Sequence, residues 1–409
     1  MRTVPLRRLA HIVNGGTPKG DVSNWDGDVP WATPVDLGMA HGGELSDTLR
    51  TLTDEGLETG SSAVPAGSVL LSTRAPVGYV AIATQRMAFN QGCKALVPDK
   101  RLNSRYLAYA LQASTANLQV RSNGTTFLEL STEALKSTRI PYLTVPKQVQ
   151  IADFLDRETA QIDAMIEAQE HLLALTHERR RAAIAYHLDA ERCCLLGPRM
   201  KHVVTGVRQG VSPQCLPHPV DGVSEWGVLK VGCVNSGIFN ALENKKLPDE
   251  ISPDPSCVPG IGDIVISRAN TRTLLGSAAV VTKAMPRLML SDKLYAFNVG
   301  HNNPHFIALI LGTRPYRDLI EIEATGTSDS MQNISLHSIL DLPMNVPTLD
   351  EQNERVARLQ TTLRTMDTLI IGVHEMLSLL RERREALITA AVSGRIDPTT
   401  GIERIEEAS

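Results

Sequence analysis

Residues Gln352 to Ala391 read QNERVARLQTTLRTMDTLIIGVHEMLSLLRERREALITAA, and the other segments of the chain are arranged around this one. Apolar residues recur in it at alternating spacings of three and four, which is the a and d pattern of a coiled coil. Neither proline nor a cluster of turn residues interrupts the pattern. At about 1.5 Å of rise per residue, such a helix is a rod of about 60 Å, longer than an ordinary globular helix.

The chain carries this segment twice. The earlier copy begins at Gln148 and reads QVQIADFLDRETAQIDAMIEAQEHLLALTHERRRAAIAY, and the offset between Asp163 and Asp367, or between Glu178 and Glu382, is 204 residues. Polar residues interrupt its seam, and such residues can fix the register and the partner of a coiled coil. We therefore predict that the two helices pair within one chain. The predicted seam residues are Leu155, Ile162, Ile166, Leu173, Val356, Leu359, Leu363, Met366, Ile370, Val373, Leu377 and Leu380. Separate packing of each helix on its own domain stays open as the alternative.

Two globular segments alternate with the helices and repeat one order of elements. A strand at 68–73 and a helix after Asn103 in the first segment match a strand at 263–268 and a helix after Asn303 in the second. The segments at 123–125 and 325–327, which read NGT and TGT, also match. We predict an α+β fold with two similar mixed α/β domains, joined by an intramolecular antiparallel coiled coil with pseudo-two-fold symmetry. The predicted boundaries are 1–145 and 190–342 for the domains, 146–189 and 343–393 for the helices, and 394–409 for a tail.

The composition is that of a soluble globular protein, with 409 residues and a formal net charge of -4. No apolar run approaches the roughly 18 residues of a membrane span, and the N-terminus has no apolar signal region. We therefore expect a cytoplasmic protein with no membrane partner. The six cysteines form no C-x-x-C pair, so we expect reduced thiols and no metal site. The acidic residues concentrate on the helices and the tail, so DNA binding would need local basic clusters.

Common catalytic motifs are missing from the sequence. The N-P-P-[YFW] motif of amino-methyltransferases, the phosphate loop, H-E-x-x-H and G-x-S-x-G are all absent. His171 and His177 lie beside glutamates on the first long helix, where a solvated face is a commoner outcome than a metal site. The arginine clusters at 179–181 and 381–384 fit surface charge near a helix end better than phosphate contacts.

Four features make the sequence resemble the specificity (S) subunits of type I restriction-modification systems. Two similar domains alternate with two long helices, and Ile140-Pro141 and Leu342-Pro343 precede the helices. The second helix opens with the sequence PTLDEQ, and the first with the shorter PKQ. The ending LITAAVSGRID is similar to the A-V-x-G-K/R-I-D ending of that family. The first copy departs from the pattern, because Ala190 stands where the second copy has Gly394.

The resemblance implies a chain without a catalytic centre or a cofactor of its own. Members of this family read a two-part sequence in double-stranded DNA, with one domain for each half-site and a gap set by the helices. Two modification subunits dock on the helices and bring S-adenosylmethionine-dependent adenine methylation. Restriction and translocase subunits add ATP-driven translocation and Mg-dependent cleavage.

Base-reading residues do not follow from the resemblance, because the loops of these domains diverge. We expect them among polar and basic residues on loops beside the matched strands, since arginine reads guanine and asparagine or glutamine reads adenine. A surface role or a phosphate contact stays open for each of them. The candidates are Lys19, Thr73, Arg74, Asn90, Gln91, Lys94, Arg208, Gln209, Arg268, Asn270, Arg272 and Lys293.

Two other functions remain open at this point. A non-catalytic protein-protein scaffold with paired interaction domains on a coiled coil would share the architecture and bind no DNA. A self-contained enzyme with its site between the domains is disfavoured, because no matched acid-base or metal set stands at equivalent positions. Neighbouring genes with methyltransferase and helicase motifs would favour the first interpretation over the scaffold.

Overall fold

The structure is a computed structural model that describes residues 2–74, 76–122, 129–194, 197–328 and 331–402, with the side chains of 327 and 328 excepted. It divides into two compact units. Unit 1 comprises residues 1–170 and 374–409, and unit 2 comprises residues 171–373. The matched segment at 123–125 lies outside the described residues, and its counterpart at 325–327 lies in the strand Thr325–Ser328.

Unit 1 is a mixed α/β domain with part of each long helix. Its strands are β1 Thr3–Pro5, β2 Ala10–Asn14, β3 Trp25–Ala32, β4 Glu44–Leu45, β5 Thr51–Leu52, β6 Ser62–Val64, β7 Val69–Thr73, β8 Val77–Ala83, β9 Met87–Phe89, β10 Cys93–Pro98 and β11 Arg139–Pro141. Its short helices are α1 Pro34–Met39, α2 Asp54–Gly60, α3 Ser104–Ala113, α4 Thr115–Val120 and α5 Thr132–Ser137.

The main sheet of unit 1 has the order β2-β10-β7-β8-β4, and a second sheet has the order β5-β3-β9-β6. Strand β7 is buried on both faces and consists of apolar and hydroxyl residues, as expected for a strand covered on two sides. Helix α3 packs Tyr106, Leu107 and Leu111 against one face of this sheet. The other face packs on a separate cluster that includes Leu70 and Phe89.

Unit 2 repeats this plan with shorter strands. They are β12 Gly206–Gln209, β13 Gly227–Leu229, β14 Asn244–Lys246, β15 Ile264–Ser267, β16 Ala269–Asn270, β17 Ala278–Val280, β18 Leu288–Met289, β19 Leu294–Asn298, β20 Thr325–Ser328 and β21 Met331–Asn333. The long helices are α6 Val145–Leu188 and α11 Leu349–Val392, and the short ones in unit 2 are α7 Ala190–Cys193, α8 Pro304–Leu311, α9 Arg314–Ile322 and α10 Leu336–Leu340.

The main sheet of unit 2 has the order β12-β19-β15-β17, which corresponds strand by strand to β2-β10-β7-β8 of unit 1. The helix that follows the sheet starts in the same way in both units. The side chain of Asn103 accepts a hydrogen bond from Tyr106 N at 3.1 Å, and that of Asn303 accepts one from Phe306 N at 3.1 Å. The predicted α+β class, with two similar mixed domains and two long helices, is confirmed.

A buried glutamine fastens each long helix to its domain. Gln148 accepts a hydrogen bond from Asn103 N at 2.8 Å and donates to the carbonyls of Arg101 and Leu143 at 2.9 and 2.8 Å. Gln352, 204 residues later, accepts from Asn303 N at 2.9 Å. Both glutamines are almost fully buried. Because each amide is fully used, the contact fixes how the domain sits on the start of its helix.

The long helices pair antiparallel within each unit. In unit 1, Arg384 contacts Asp163 at 2.7 Å and Arg381 contacts Glu170 at 2.8 Å. Residue numbers therefore fall along α11 as they rise along α6, which is the antiparallel arrangement. All the predicted seam residues are buried or half-buried. In unit 2 the same order holds, as the ion pairs Arg180–Asp367 and Arg355–Asp189 show.

A residue in the left-handed region follows the end of each long helix. Gly394, with φ of 77°, ends α11, and its amide donates to Ala391 O at 3.1 Å. Asp189, with φ of 53°, takes this role after α6. The departure from the family pattern at Ala190 therefore leaves this helix end intact, because the preceding aspartate adopts the required conformation. No helix in the described part of the chain is long and apolar enough to cross a membrane.

Candidate nucleic-acid interface

Polar residues of unit 1 meet where strands β2 and β7 end and β10 begins. Lys94 on β10 lies opposite Asn14 on β2, and its Nζ donates to Asn14 Oδ1 at 3.1 Å. Thr132 donates to the same oxygen at 2.8 Å. Burial lowers the pKa of Lys94, whose side chain is only 6% exposed. The lysine therefore lies within strand β10 and supports the sheet edge, where the sequence predicted a loop position.

Thr73 and Arg74 lie side by side at this edge, but one is buried and the other is exposed. The Arg74 guanidinium is 44% exposed and donates to Glu129 Oε1 at 2.9 Å. Thr73 is the last residue of β7 and is fully buried, and its hydroxyl donates to Gly92 O at 3.1 Å. Thr73 thus ends the strand predicted at 68–73 and is not an exposed loop residue, because its hydroxyl holds the turn between β9 and β10. Arg74 keeps exposed donors beside that turn.

The glycine loop after β2 packs against the turn that carries Asn90 and Gln91. A Cβ on Gly15 would lie 2.0 Å from Asn90 O, so this position requires glycine. The Thr17 hydroxyl donates to the side-chain oxygen of Gln91. Asn90 is half-buried and accepts from Gly92 N at 3.0 Å, whereas Gln91 and Lys19 are exposed. Two of the predicted readers, Lys19 and Gln91, thus lie on one continuous loop surface.

An arginine that the sequence analysis missed lies beside this loop. The indole nitrogen of Trp31 donates to Gly16 O at 3.1 Å, and the ring of Trp25 meets Trp31 edge to face at 5.0 Å. The guanidinium carbon of Arg50 lies 3.4 Å from the centroid of the Trp25 ring, within cation-π range. Arg50 is exposed, so its donors are held in place by stacking and face solvent.

A bulge in β3 makes this stack possible. Six residues of regular strand would separate Trp25 from Trp31 by roughly 20 Å, yet the rings are 5.0 Å apart. The register shifts between Trp25 and Val29, both of which pair with Leu52, and Asp26 adopts a φ of 62°. In the sequence, the only indication of this cluster was the occurrence of two tryptophans and an arginine within 26 residues. The bulge is what brings them into contact.

In unit 2, three predicted readers meet at the corresponding edge. Gln209 on β12 lies opposite Tyr295 on β19, and Arg268 follows β15 with its guanidinium carbon 5.7 Å from the Tyr295 ring. The amide of Arg268 donates to Lys293 O at 2.9 Å. Arg268 Nε is buried without a hydrogen-bond partner. Gln209 lies within a strand, where the sequence predicted a loop, and its side chain is exposed.

The other predicted readers of unit 2 lie away from this edge or are held by other residues. Asn270 lies in β16, is 8% exposed and donates to Asn235 Oδ1 at 2.9 Å. Arg208 lies in β12 and donates to the buried carboxylate of Asp263. These two positions are therefore strand positions, contrary to the prediction. Arg272 lies in a turn, is 57% exposed and pairs with Glu321 at 3.2 Å.

Residues 1–173 match the family model described as the type I restriction modification DNA specificity domain. The chain is therefore similar to this family over its first 173 residues. The matched stretch covers the edge from Asn14 to Arg74, including the stacked Arg50. The resemblance that the sequence suggested is confirmed.

Curated relatives match over part of their length. The chain is 34% identical over 154 residues to the specificity subunit of the type I restriction enzyme MjaIX from Methanocaldococcus jannaschii, covering 37% of this chain and 36% of that protein. It is 29% identical over 173 residues to the EcoEI specificity subunit from Escherichia coli, covering 42% and 29%. The chain thus spans about a third of the length of the curated relatives it matches.

A solved structure shares the fold over nearly the whole chain. It is a structure described as the basis of complex assembly and conformational transition of a type I R-M system. Its chain superposes on this one with a TM-score of 0.63 at 16% sequence identity. The superposition covers 96% of this chain and 97% of that one. The similarity therefore extends the shared fold through unit 2, beyond the specificity domain at 1–173.

Proposed function

We propose that this chain is the DNA-recognition subunit of a type I restriction-modification complex and acts in the cytoplasm. Each unit reads one half of a two-part target, and the chain itself catalyses no reaction. The observation that carries the proposal is the DNA specificity domain at 1–173, together with a second unit built on the same sheet order and the same helix attachment.

Exposed cationic and amide groups support DNA contact at the sheet edge of unit 1. Lys19, Arg50, Arg74 and Gln91 surround the glycine loop and the Trp25 stack. Stacked arginine presents a planar fork that fits guanine in the major groove, and lysine binds phosphates without reading sequence. We assign base reading in unit 1 first to Arg50 and Gln91, and phosphate contact to Lys19.

Unit 2 carries a different set of side chains at the equivalent edge. Tyr295 stands where unit 1 has Lys94, since each lies opposite the third residue of the central strand, Ile266 and Leu71. Arg268 likewise stands where unit 1 has Thr73. Because the polar groups differ while the backbone order is kept, the two units read different half-sites.

Exposed apolar residues on the paired helices support the docking of two modification subunits. In unit 2, Leu172, Leu175, Met366 and Leu369 line an open groove of about 690 Å³. At the same offset of 204 residues, unit 1 carries exposed Met376, Leu379 and Met165 on its helix pair. Exposed apolar surface of this kind marks interaction sites in soluble proteins. One site in each unit fits one partner for each half-site.

The partners supply the chemistry under this proposal. S-adenosylmethionine belongs to the modification subunits, and ATP and Mg belong to the restriction and translocase subunits. The described residues contain no group of three or more histidine, cysteine, aspartate or glutamate side chains that could hold a metal ion. The part played by this chain is to place double-stranded DNA and the partner enzyme in one fixed relation.

A methylome comparison tests the proposal. The chain is expressed with its partner methyltransferase, and methylated adenines are mapped with and without it. We expect methylation at one two-part sequence with a fixed gap, and only when the chain is present. An unchanged methylation pattern, with the methyltransferase present and active, would reject DNA recognition and favour the protein-protein scaffold.

A further inference from the structure

In unit 1, side chains fill the space between helix α3 and the two long helices, which we call the joint between the domain and the helix pair. Arg105 binds Asp153 at 2.7 Å and also binds Asp156, and the Tyr109 hydroxyl donates to Asp156 at 2.7 Å. Gln112 lies 3.5 Å from the guanidinium of Arg384. These long side chains of α3 meet charged groups of both long helices, so the joint of unit 1 is occupied by the protein itself.

The same joint in unit 2 is an open cavity of about 590 Å³. The hydrogen bonds of Asn103 and Asn303 to the two buried glutamines establish that the joints correspond. At an offset of 200 residues, the three long side chains of α3 are replaced by His305, Leu309 and Gly312, which all line the cavity. Smaller side chains therefore leave the space that Arg105, Tyr109 and Gln112 occupy in unit 1.

The charge of the joint is also reversed. Where unit 1 has Asp153 and Asp156 on α6, unit 2 has Ala357 and Gln360 on α11. Where unit 1 has Ala160 and Glu385, unit 2 has Arg364 and Arg181. Among the described residues that line the cavity, the charged side chains are Arg180, Arg181, Arg317, Arg364 and one carboxylate, that of Asp367.

The arginines have different roles. Arg180 pairs with Asp367 at 3.1 Å, and Arg317 donates to the carbonyls of Leu275 and Thr273, so both hold the protein together. Arg181 and Arg364 are exposed residues on the cavity wall, one from each long helix. These two guanidiniums are placed to bind an anionic group in the cavity.

We propose that this cavity binds a nucleoside phosphate. Arg181 and Arg364 take the phosphate, because the guanidinium fork matches phosphate oxygens. The half-buried Phe239, with Leu309 and Ile184, gives the cavity an apolar wall against which a base can pack. The volume lies within the range of about 300–1,000 Å³ typical of small-molecule sites. None of the residues that line this cavity is assigned to DNA, and the proposal does not rest on that function.

Binding is measured on the full chain by isothermal titration calorimetry and thermal unfolding, with AMP and ATP as probes and adenosine and inorganic phosphate as their separate halves. We expect saturable binding of at least one nucleotide, a rise in the unfolding temperature with its concentration, and much weaker binding of either half. Absence of saturable binding by both nucleotides would overturn the proposal.

Two variants and one control locate the site. Arg364→Ala removes a charged hydrogen-bond donor and is expected to weaken binding about tenfold or more. Leu309→Tyr with Gly312→Gln places the side chains of unit 1 in the cavity and is expected to abolish binding while the chain stays folded. Gly312 has a φ of -81° and space for a Cβ, so the second change adds no backbone strain.

Arg358→Ala is the control, because this exposed arginine lies on the same helix as Arg364, pairs with Glu354 and does not line the cavity. Its binding constant is expected to match the wild type. Nucleotide binding that survives the Leu309→Tyr, Gly312→Gln variant would overturn the proposed location. A variant Arg364→Ala that binds nucleotide normally but loses DNA affinity uniformly across sequences would assign this charge to DNA phosphates and overturn the proposal.

Discussion

The guanidinium of Arg384 lies 2.7 Å from the carboxylate of Asp163, and the same pair recurs in exchanged form as Arg180 with Asp367 at 3.1 Å. Each partner is displaced by 204 residues between the two pairs. In unit 1 the arginine comes from α11 and the aspartate from α6, whereas in unit 2 the origins are reversed. Each long helix therefore contributes the arginine to one of these ion pairs and the aspartate to the other.

Loss of the Arg384 side chain should destabilise unit 1. Its side chain is 17% exposed, so the pair is less screened than an ordinary surface pair. We expect Arg384→Ala to lower the free energy of unfolding by about 1 kcal/mol. Denaturant unfolding measures this change, and a double-mutant cycle with Asp163→Ala isolates the pair. Arg358→Ala, which removes an exposed pair within one helix, is the control and should cost less.

The attachment of the first domain depends on Gln148. Its amide makes three hydrogen bonds and is fully buried, so Gln148→Ala leaves one backbone donor and two carbonyls without partners. We expect a loss of roughly 2–3 kcal/mol in unfolding free energy. Gln150→Ala changes the same residue type at an exposed position two residues along α6 and should be nearly neutral. Equal losses in the two variants would contradict this role for Gln148.

Recognition of the two half-sites should separate by unit. We expect Arg50→Ala to relax base preference in the half-site of unit 1, by about 1–3 kcal/mol of discrimination, and Arg268→Ala to do so only in the other. Methylation of target libraries with one half-site randomised measures this. Lys19→Ala should weaken binding equally across sequences and reduce its salt dependence. Equal loss at both half-sites would mean that the arginines act through folding.

The length of the helices should set the gap between half-sites. Four residues inserted into the middle of both α6 and α11 add about 6 Å, or one helical turn. We expect the preferred gap in the methylated sequence to shift by one to two base pairs, since base steps rise about 3.4 Å. The same insertion in the exposed turn at Asp249 and Glu250 is the control. An unchanged gap with lengthened helices would count against the helices as a ruler.

Acid should weaken unit 1 through His41. Partial desolvation of the imidazole and the positive charge of Arg384 lower the pKa of His41, and its Nδ1 accepts a hydrogen bond from Val80 N at 3.1 Å. The unfolded chain therefore binds this proton more tightly, and stability present above about pH 6.5 is lost as the pH falls below it. His41→Asn can retain an acceptor and cannot titrate, so its unfolding free energy should fall less with acid. An identical pH profile would contradict this.

The duplicated plan, the two long helices and the order of elements along the chain could be predicted from the sequence, because they follow from local periodicity and from repetition. The heptad positions face the partner helix wherever the apolar side chains recur. Asn103 and Asn303 predicted the starts of their helices, because an N-cap side chain bonds a backbone N–H only three residues further along the chain. The strand predicted at 68–73 is present as β7, because a short apolar run bounded by turn residues is typical of a buried strand.

Which polar side chains face solvent depends on the packing of the folded chain and could not be predicted from the sequence. Thr73, Lys94 and Asn270 read as candidate DNA contacts, yet contacts from residues distant in sequence bury them in the protein. Arg50 became a candidate because a bulge stacks it on Trp25. Long-range packing also left the joint of unit 2 open where unit 1 fills it. Such choices depend on distances between elements, which periodicity along a single segment does not contain.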